Sequence, residues 1–342
     1  MNTLTALWEV SLALCALAVL ALLVLLVVRL LASRTLGRHE NARRALLPVM
    51  LDADPASLHP VRGAELEVAA ELTVELAEMT RGSERELLLE RASALGVPKY
   101  LARRLRSYSA QTRLSAAEAI AMFDECREVA KTALDDRNAD VRLGAALALA
   151  QRGEAPDPLM VVRKLRVGTH EHSLLLVSLM TDLAEKDSEA VAGLLFEGEL
   201  SFEAKVAAMD ALAGLGGQYA PLLAYMARES DQEPELQPRV FRALGRTGHP
   251  AGTEAIVNGL HSSNWTVRAA AAEAAGRAGI TQAADTIGQL LGDEDYWVRY
   301  RASEALLRLG PRGIAALREA TESENERVRT SAIKMLTEGR VA

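Results

Sequence analysis

The sequence predicts an all-α solenoid of stacked helix pairs, with a period of about 31 residues, preceded by one transmembrane helix. Three observations predict it. The stretch Asn264-Trp-Thr-Val-Arg-Ala-Ala-Ala-Ala-Glu-Ala-Ala-Gly-Arg-Ala-Gly279 returns as Asp295-Tyr-Trp-Val-Arg-Tyr-Arg-Ala-Ser-Glu-Ala-Leu-Leu-Arg-Leu-Gly310. Further copies carry Val141-Arg142 and Val328-Arg329, weaker ones start at Ala204 and Leu236, and an eroded one centres near His172. From Ala204 through Leu236, Val267 and Val298 to Val328 the steps are 32, 31, 31 and 30 residues, and Val141 lies 63 residues, two steps, before Ala204. Second, residues 10–28 carry no charge. Third, the chain is 49% hydrophobic but only 4% aromatic, which suits one anchor and one elongated Ala-rich domain.

The 19-residue apolar run would span ~28 Å as a helix, about the thickness of the hydrocarbon core. It lacks the basic segment that opens a signal peptide and is long for one, so residues 1–32 read as an anchor that enters the membrane over residues 7–31. Trp8 stands where an interfacial aromatic belongs. Arg29, Arg34, Arg38, Arg43 and Arg44 follow the run, and Glu9 precedes it. The positive-inside rule then places the N-terminus outside and the solenoid in the cytoplasm, at an inner (cytoplasmic) membrane.

Residues 33–62 read as a juxtamembrane connector, with a short helix from Arg43 to Leu51 that Pro48 kinks or breaks. Residues 63–135 read as degenerate or capping repeats. Here Val68, Leu72, Leu76 and Met79 form one helical stripe, and Glu67, Glu71, Glu75 and Glu78 another. Lys99, Arg103, Arg104, Arg106 and Arg113 then form a basic stripe with no acidic residue between them. Two readings stand: pairing with the glutamate stripe, or a surface that meets anionic lipid or an acidic partner. Arg113-Leu-Ser-Ala-Ala echoes Arg142-Leu-Gly-Ala-Ala, which starts the array before residue 136.

Residues 136–342 hold the clear repeats. Each is predicted as two helices. Asn264, Asp295 or Asp140 caps the first, Val267, Ala270, Ala271 and Ala274 form its apolar stripe, and Gly279 or Gly310 ends it. Ala284, Ile287, Leu290 and Leu291 mark a second helix, with Thr281 as its cap. A lone pair could not bury its apolar face, so neighbours must stack. The Val-Arg-x-x-Ala-x-x-Ala-Leu-x-x-x-Gly core resembles the HEAT repeats, in particular the short, Ala-rich type first known from phycobilisome chromophore lyases.

Catalytic signatures are missing from the sequence. His170-Glu-His172 is the one histidine cluster, and residues two apart on a helix do not share a face. Asp52-Ala-Asp54 and Asp293-Glu-Asp295 resemble the Asp-x-Asp pair of glycosyltransferases, but their settings fit a turn and a helix start. Cys126, on a stripe with Phe123 and Ala130, reads as a buried, inert thiol. The chain is therefore expected to be no enzyme and to use no cofactor or metal. Beyond the anchor it carries 38 basic against 45 acidic residues, which excludes general nucleic-acid binding.

The recurrent Arg142, Arg268, Arg299 and Arg329 suit an internal ladder to neighbouring loops. Trp265, Arg268, Trp297 and Tyr300 are the candidate partner-binding residues, because aromatics and arginine dominate interface hot spots. The expectation is a membrane-anchored scaffold or adaptor with a protein partner at the membrane. Its domain order is similar to that of membrane-anchored HEAT proteins accompanying polysaccharide-synthesising glycosyltransferases, which implies an accessory subunit as the alternative. A chromophore lyase, implied by the repeat type, is the third reading.

Overall fold

A computed structural model describes residues 2–165, 174–198, 200–230 and 233–339; within 2–36, side chains are described only at 8, 16–23, 25 and 26. The chain divides into two units, Met1–Ala133 and Leu134–Ala342.

The first unit opens with a single long helix, α1 (Asn2–Asp52). The expected break at Pro48 does not occur. Pro48 lies in the last turns, where few backbone bonds are lost, and Ala42, Leu46 and Met50, four residues apart, stay buried on one face. Arg91 closes the helix end by donating to the carbonyls of Ala53 at 2.7 Å and Met50 at 3.2 Å. Helices α2 (Ala64–Met79), α3 (Ser83–Leu95), α4 (Val97–Arg104), α5 (Ala110–Ile120) and α6 (Arg127–Thr132) follow. The buried side of α2 is Leu66, Val68, Ala69, Ala70, Leu72, Thr73 and Ala77. Met79, expected on that stripe, is exposed in the last turn, beyond the reach of its neighbours. Phe123, Cys126 and Ala130 are buried together as expected.

The second unit alternates two rows of helices. The first row holds α7 (Ala139–Gln151), α9 (Leu174–Lys186), α11 (Phe202–Gly214), α13 (Gln237–Thr247), α15 (Trp265–Ala278), α17 (Tyr296–Arg308) and α19 (Glu326–Glu338). The second row holds α8 (Pro158–Leu165), α10 (Ser188–Leu194), α12 (Ala220–Glu229), α14 (Thr253–Gly259), α16 (Ala284–Gln289) and α18 (Pro311–Ala320). Every first-row helix packs on the next of its row. The eroded copy includes α9, with Leu176, Leu179, Met180 and Leu183 buried; His172 itself lies outside the described residues.

Caps stand three residues before the marker in each clear repeat. Asn138, Ser201, Asn264, Asp295 and Asn325 accept first-turn N–H groups. Asp140, expected as a cap, instead sits inside the first turn of α7, where its charge meets the helix dipole. Thr281 starts a 3-10 turn before α16 rather than capping it, since the chain makes one tighter turn there.

The first row is closer-packed than an amphipathic stripe suggests. In α15, Val267, all four alanines from Ala269 to Ala272, Ala274, Ala275 and Gly276 are buried. Two glycines one period apart set the spacing. A Cβ on Gly245 would stand 2.5 Å from the Cα of Ala274, and one on Gly276 would stand 2.7 Å from the Cα of Ala305. Backbone cannot yield as a side-chain tip can, so these crossings need glycine. We therefore expect Gly276→Ala to destabilise the second unit by about 1–3 kcal/mol. Gly288→Ala, where a Cβ meets open space, should instead gain up to about 1 kcal/mol from helix propensity. Urea midpoints of the two variants measure the contrast.

Among the described residues, no helix is long and apolar enough to cross a membrane. The expected anchor, residues 7–31, falls in part on side chains outside that description.

Candidate functional site

One local device recurs at the start of the first-row helices. Two residues before the cap stands Ser or Asp, whose side chain accepts the N–H of the cap residue. The bonds are Asp136 to Asn138 at 2.8 Å, Ser262 to Asn264 at 3.2 Å, Asp293 to Asp295 at 2.9 Å and Ser323 to Asn325 at 3.2 Å. The arginine after the marker reaches back to the carbonyl of that same Ser or Asp. Arg142, Arg268, Arg299 and Arg329 donate there through Nη1 at 2.9, 2.9, 2.8 and 2.7 Å. The arginines are thus internal ties.

Arg113 is a fifth member. It is 4% exposed and donates to the carbonyls of Ser107 at 2.9 Å and Tyr108 at 3.0 Å, with Ser109 as the cap of α5. Its place in the expected basic surface stripe is therefore corrected. Sequence spacing put it on the stripe, and the repeat register turns it inward. The same geometry makes α5 a first-row type helix, as the echo of Arg142 implied.

Arg268 has a second tie. Its Nε and Nη2 fork onto Asp293 at 2.8 and 2.9 Å, linking α15 to the loop before α17. Burial alone would push the Asp293 carboxyl up. The Arg268 fork, the Asp295 N–H and the nearby charges of Arg268 and Arg299 outweigh it, so Asp293 titrates below its usual range. The fork in turn raises the Arg268 guanidinium. Arg268, expected at a partner interface, is fully engaged by its own chain.

The other candidates separate by position. Trp265 opens α15 and is 43% exposed; Tyr296 holds the same register one period later. Trp297 is 53% exposed and joins Tyr296 and Tyr300 in one cluster. Trp297 meets Tyr296 edge-on at 5.6 Å and Tyr300 edge-on at 6.1 Å, while Tyr296 and Tyr300 stack at 6.3 Å between centroids. Cations border it, with Arg299 and Lys334 each 5.8 Å from Tyr296 and Arg301 5.9 Å from Tyr300. Beside the cluster, α17 and α19 flank an open groove of about 290 Å³, lined by Tyr296, Tyr300, Ser303, Thr330, Lys334 and Met335. Tyr296 and Lys334 escaped the sequence reading. The signal for Tyr296 was its 31-residue match to Trp265; Lys334 had none.

Behind the aromatics runs a charged chain. Glu273 on α15, 8% exposed, meets Arg242 of α13 at 3.5 Å, Arg277 at 3.0 Å and Arg301 of α17 at 3.7 Å. Arg301 and Arg308 then hold Glu304 at 2.8 and 2.7 Å. Asp210 pairs with Arg246, extending the chain to α11. Burial lowers the Arg242 guanidinium although Glu273 opposes this, as expected of a charge drawn out of water. A second groove lies near the start of α7, where Lys164 pairs with Asp135 at 2.6 Å and Arg163 with Glu197 at 3.8 Å.

In the first unit, the basic and glutamate stripes partly meet. Arg104 donates to Glu67 at 3.3 Å and to the Tyr100 hydroxyl at 2.6 Å, and these contacts raise its guanidinium, the tyrosine bond foremost. Glu75 takes Arg43 of α1 at 2.6 Å instead of a stripe residue. Lys99, Arg103 and Arg106 remain exposed. Among the described residues no cluster of His, Cys, Asp and Glu could hold a metal ion, and His170 and His172 lie outside them. Burial, and then Glu125, push the Cys126 thiol up, away from nucleophilic use.

Residues 253–337, from α14 to α19, match the family model for HEAT repeats. No curated protein matches the sequence. Among solved structures, Kap121p bound to Pho4p is 15% identical over 87% of this chain and 39% of its own length, with a TM-score of 0.47. An engineered protein is 16% identical over 87% of this chain and 99% of its own, with a TM-score of 0.37. Human deoxyhypusine hydroxylase in complex with glycerol is 15% identical over 81% and 98%, with a TM-score of 0.31. This chain spans about two fifths of the length of Kap121p. At such identities the likeness is one of fold.

The Arg268–Asp293 fork yields a pH signature. Asp293→Asn should cost about 1.5–3 kcal/mol at neutral pH, as expected for hydrogen bonds to a charged group. A carboxyl lowered by folding contributes fully above its unfolded value of about 3.9 and loses that contribution as pH falls through the folded value. The gap between wild type and Asp293→Asn in denaturant titrations should therefore close below about pH 4.

Proposed function

We propose that this chain is a membrane-tethered, non-catalytic scaffold whose HEAT-type array binds a protein partner through the aromatic face of α17. The observation that carries the reading is the Tyr296, Trp297 and Tyr300 cluster, with Tyr296 and Trp297 half-exposed and Tyr300 partly buried, beside a groove in a chain with few aromatics. Exposed aromatics rimmed by cations are the composition of interface hot spots. A stacked array also offers an extended surface to a partner, and tethering raises its local concentration beside the membrane.

The tether is supported by how α1 exposes its apolar side chains. Leu17, Val19, Leu20, Leu22, Leu23, Leu25 and Leu26 are all at least half-exposed. At about 100° per residue, these positions point in every direction around the helix, so no face is reserved for water. Such a helix needs an apolar surround, and the 19-residue charge-free run supplies about the length of a bilayer core. The arginines after the run orient the domain toward the cytoplasm at the inner membrane.

Gentle detergent extraction of the full chain, followed by mass spectrometry of what stays bound, tests the proposal. A specific protein should be retained, and a membrane glycosyltransferase among the retained proteins would define the chain as its accessory subunit. Trp297→Ala with Tyr300→Ala should weaken capture at least about thirtyfold, the effect of losing one hot spot of about 2 kcal/mol, with an unchanged melting curve. Capture that ignores both substitutions moves the interface elsewhere. No retained protein from native membranes ends the scaffold reading.

A further inference from the structure

The first unit carries a basic surface on α4, which packs on α2 as α2 packs on α1. Glu67 of α2 bridges His39 of α1 at 3.5 Å and Arg104 of α4 at 3.3 Å. With the packing of α1 on α2 and of α2 on α4, these contacts bring the C-terminal end of α4 near His39. Beyond Arg104 the surface holds Lys99 and Arg103, four residues apart on one face of α4, and Arg106 just past its end, all exposed. No acidic residue occurs between 91 and 117 in the sequence. Tyr108, 95% exposed, completes the patch.

His39 follows the last residue of the apolar run, Val28, by eleven residues of continuous helix. At 1.5 Å per residue this is a rise of ~16 Å. The headgroup layer covers roughly 5–8 Å of that rise, and the Debye length at physiological salt covers about 8 Å more. The patch thus lies within electrostatic reach of the headgroups on the side where Arg29, Arg34 and Arg38 leave the apolar run.

We propose that Lys99, Arg103 and Arg106 dock the first unit on an anionic lipid surface. This rests on the tether proposed above. Two observations favour lipid over an acidic protein. The patch is basic without an apolar centre, whereas the core of a protein interface is apolar and depleted in charge. Its height relative to α1 is set by the packing of α1 on α2 and of α2 on α4. The remaining two bases of the stripe are unavailable, because Arg104 is held by Glu67 and Tyr100, and Arg113 by its own loop.

The test places the full chain in nanodiscs of phosphatidylcholine alone or mixed with phosphatidylglycerol, and follows amide hydrogen exchange over residues 103–109. Exchange should slow in the anionic discs only, and high salt should abolish the effect. Lys99→Gln, Arg103→Gln and Arg106→Gln together should lower the docked-to-undocked ratio roughly 100-fold, at about fivefold per charge. All three side chains are exposed, so the fold should survive the change. Equal exchange in the two lipids overturns the proposal, as does protection that appears only when a protein partner is added. Failure of the chain to co-elute with either disc would sink the tether separately. Flotation with phosphatidylglycerol vesicles would then judge the patch alone, and absence of salt-sensitive flotation would reject it.

Discussion

The second unit depends on a tie made within a few residues of sequence. An arginine in the first turn of a helix reaches back to the carbonyl of the loop residue whose side chain already holds the cap. A helix start leaves its first N–H groups unpaired, and the loop before it leaves carbonyls unpaired. One Ser or Asp, one cap and one arginine satisfy both sets in the same small volume. With the loop frozen, the entry angles of α7, α15, α17 and α19 are fixed before each meets a neighbour. The neighbours can then approach closely enough for alanine and glycine to face one another, as at Gly245–Ala274 and Gly276–Ala305. Dispersion contacts between small residues are worth little unless the backbones are held close, so the tie and the Ala-rich composition require each other.

Most of the second unit was legible because period, cap and stop glycine agree. Val267, Val298 and Val328 mark helices that begin two residues earlier, and Gly279 takes the left-handed conformation expected of a helix end. What was illegible followed from register. Asp140 looks like a cap because it is an acid before Val-Arg, yet the cap stands three residues before the marker in the Val-Arg repeats, which selects Asn138. Arg113 looks like part of a charge run because the run is contiguous in sequence. Only its place after a cap and a Ser-x-Ser loop shows that it points inward. Pro48 looks like a break, but burial of Ala42, Leu46 and Met50 on α2 and α3 outweighs one missing donor near a helix end.

The interface candidates were legible in part for the same reason. Trp297 and Tyr300 emerge together, and composition alone pointed to them. Arg268 was chosen for its residue type, and the structure gives that arginine to Asp293. Tyr296 completes the cluster but is illegible by residue type, since the residue it matches one period earlier is Trp265 and not a tyrosine.

The arginines of this chain fall into classes by position in the repeat, and position decides what each can do. Those after the marker bind loop carbonyls. Those one or two turns on, Arg242, Arg246, Arg277 and Arg308, pair with acids on the first-row helices and stitch the row together around the buried Glu273. Removing Glu273 would leave several cations crowded with no acid between them, so this chain constrains the relative rotation of α13, α15 and α17. The aromatic cluster sits on the helix thus constrained, and Arg301 takes part in both, pairing with Glu273 and lying over Tyr300. A partner that closes on Tyr300 would dry the site, strengthening the Arg301 interactions behind it. Rigid placement of the rings before a partner arrives lowers the ordering cost of binding. If the aromatic face binds a partner as proposed, the row of ion pairs contributes to that recognition through preorganisation, with Arg301 as the member that joins the two.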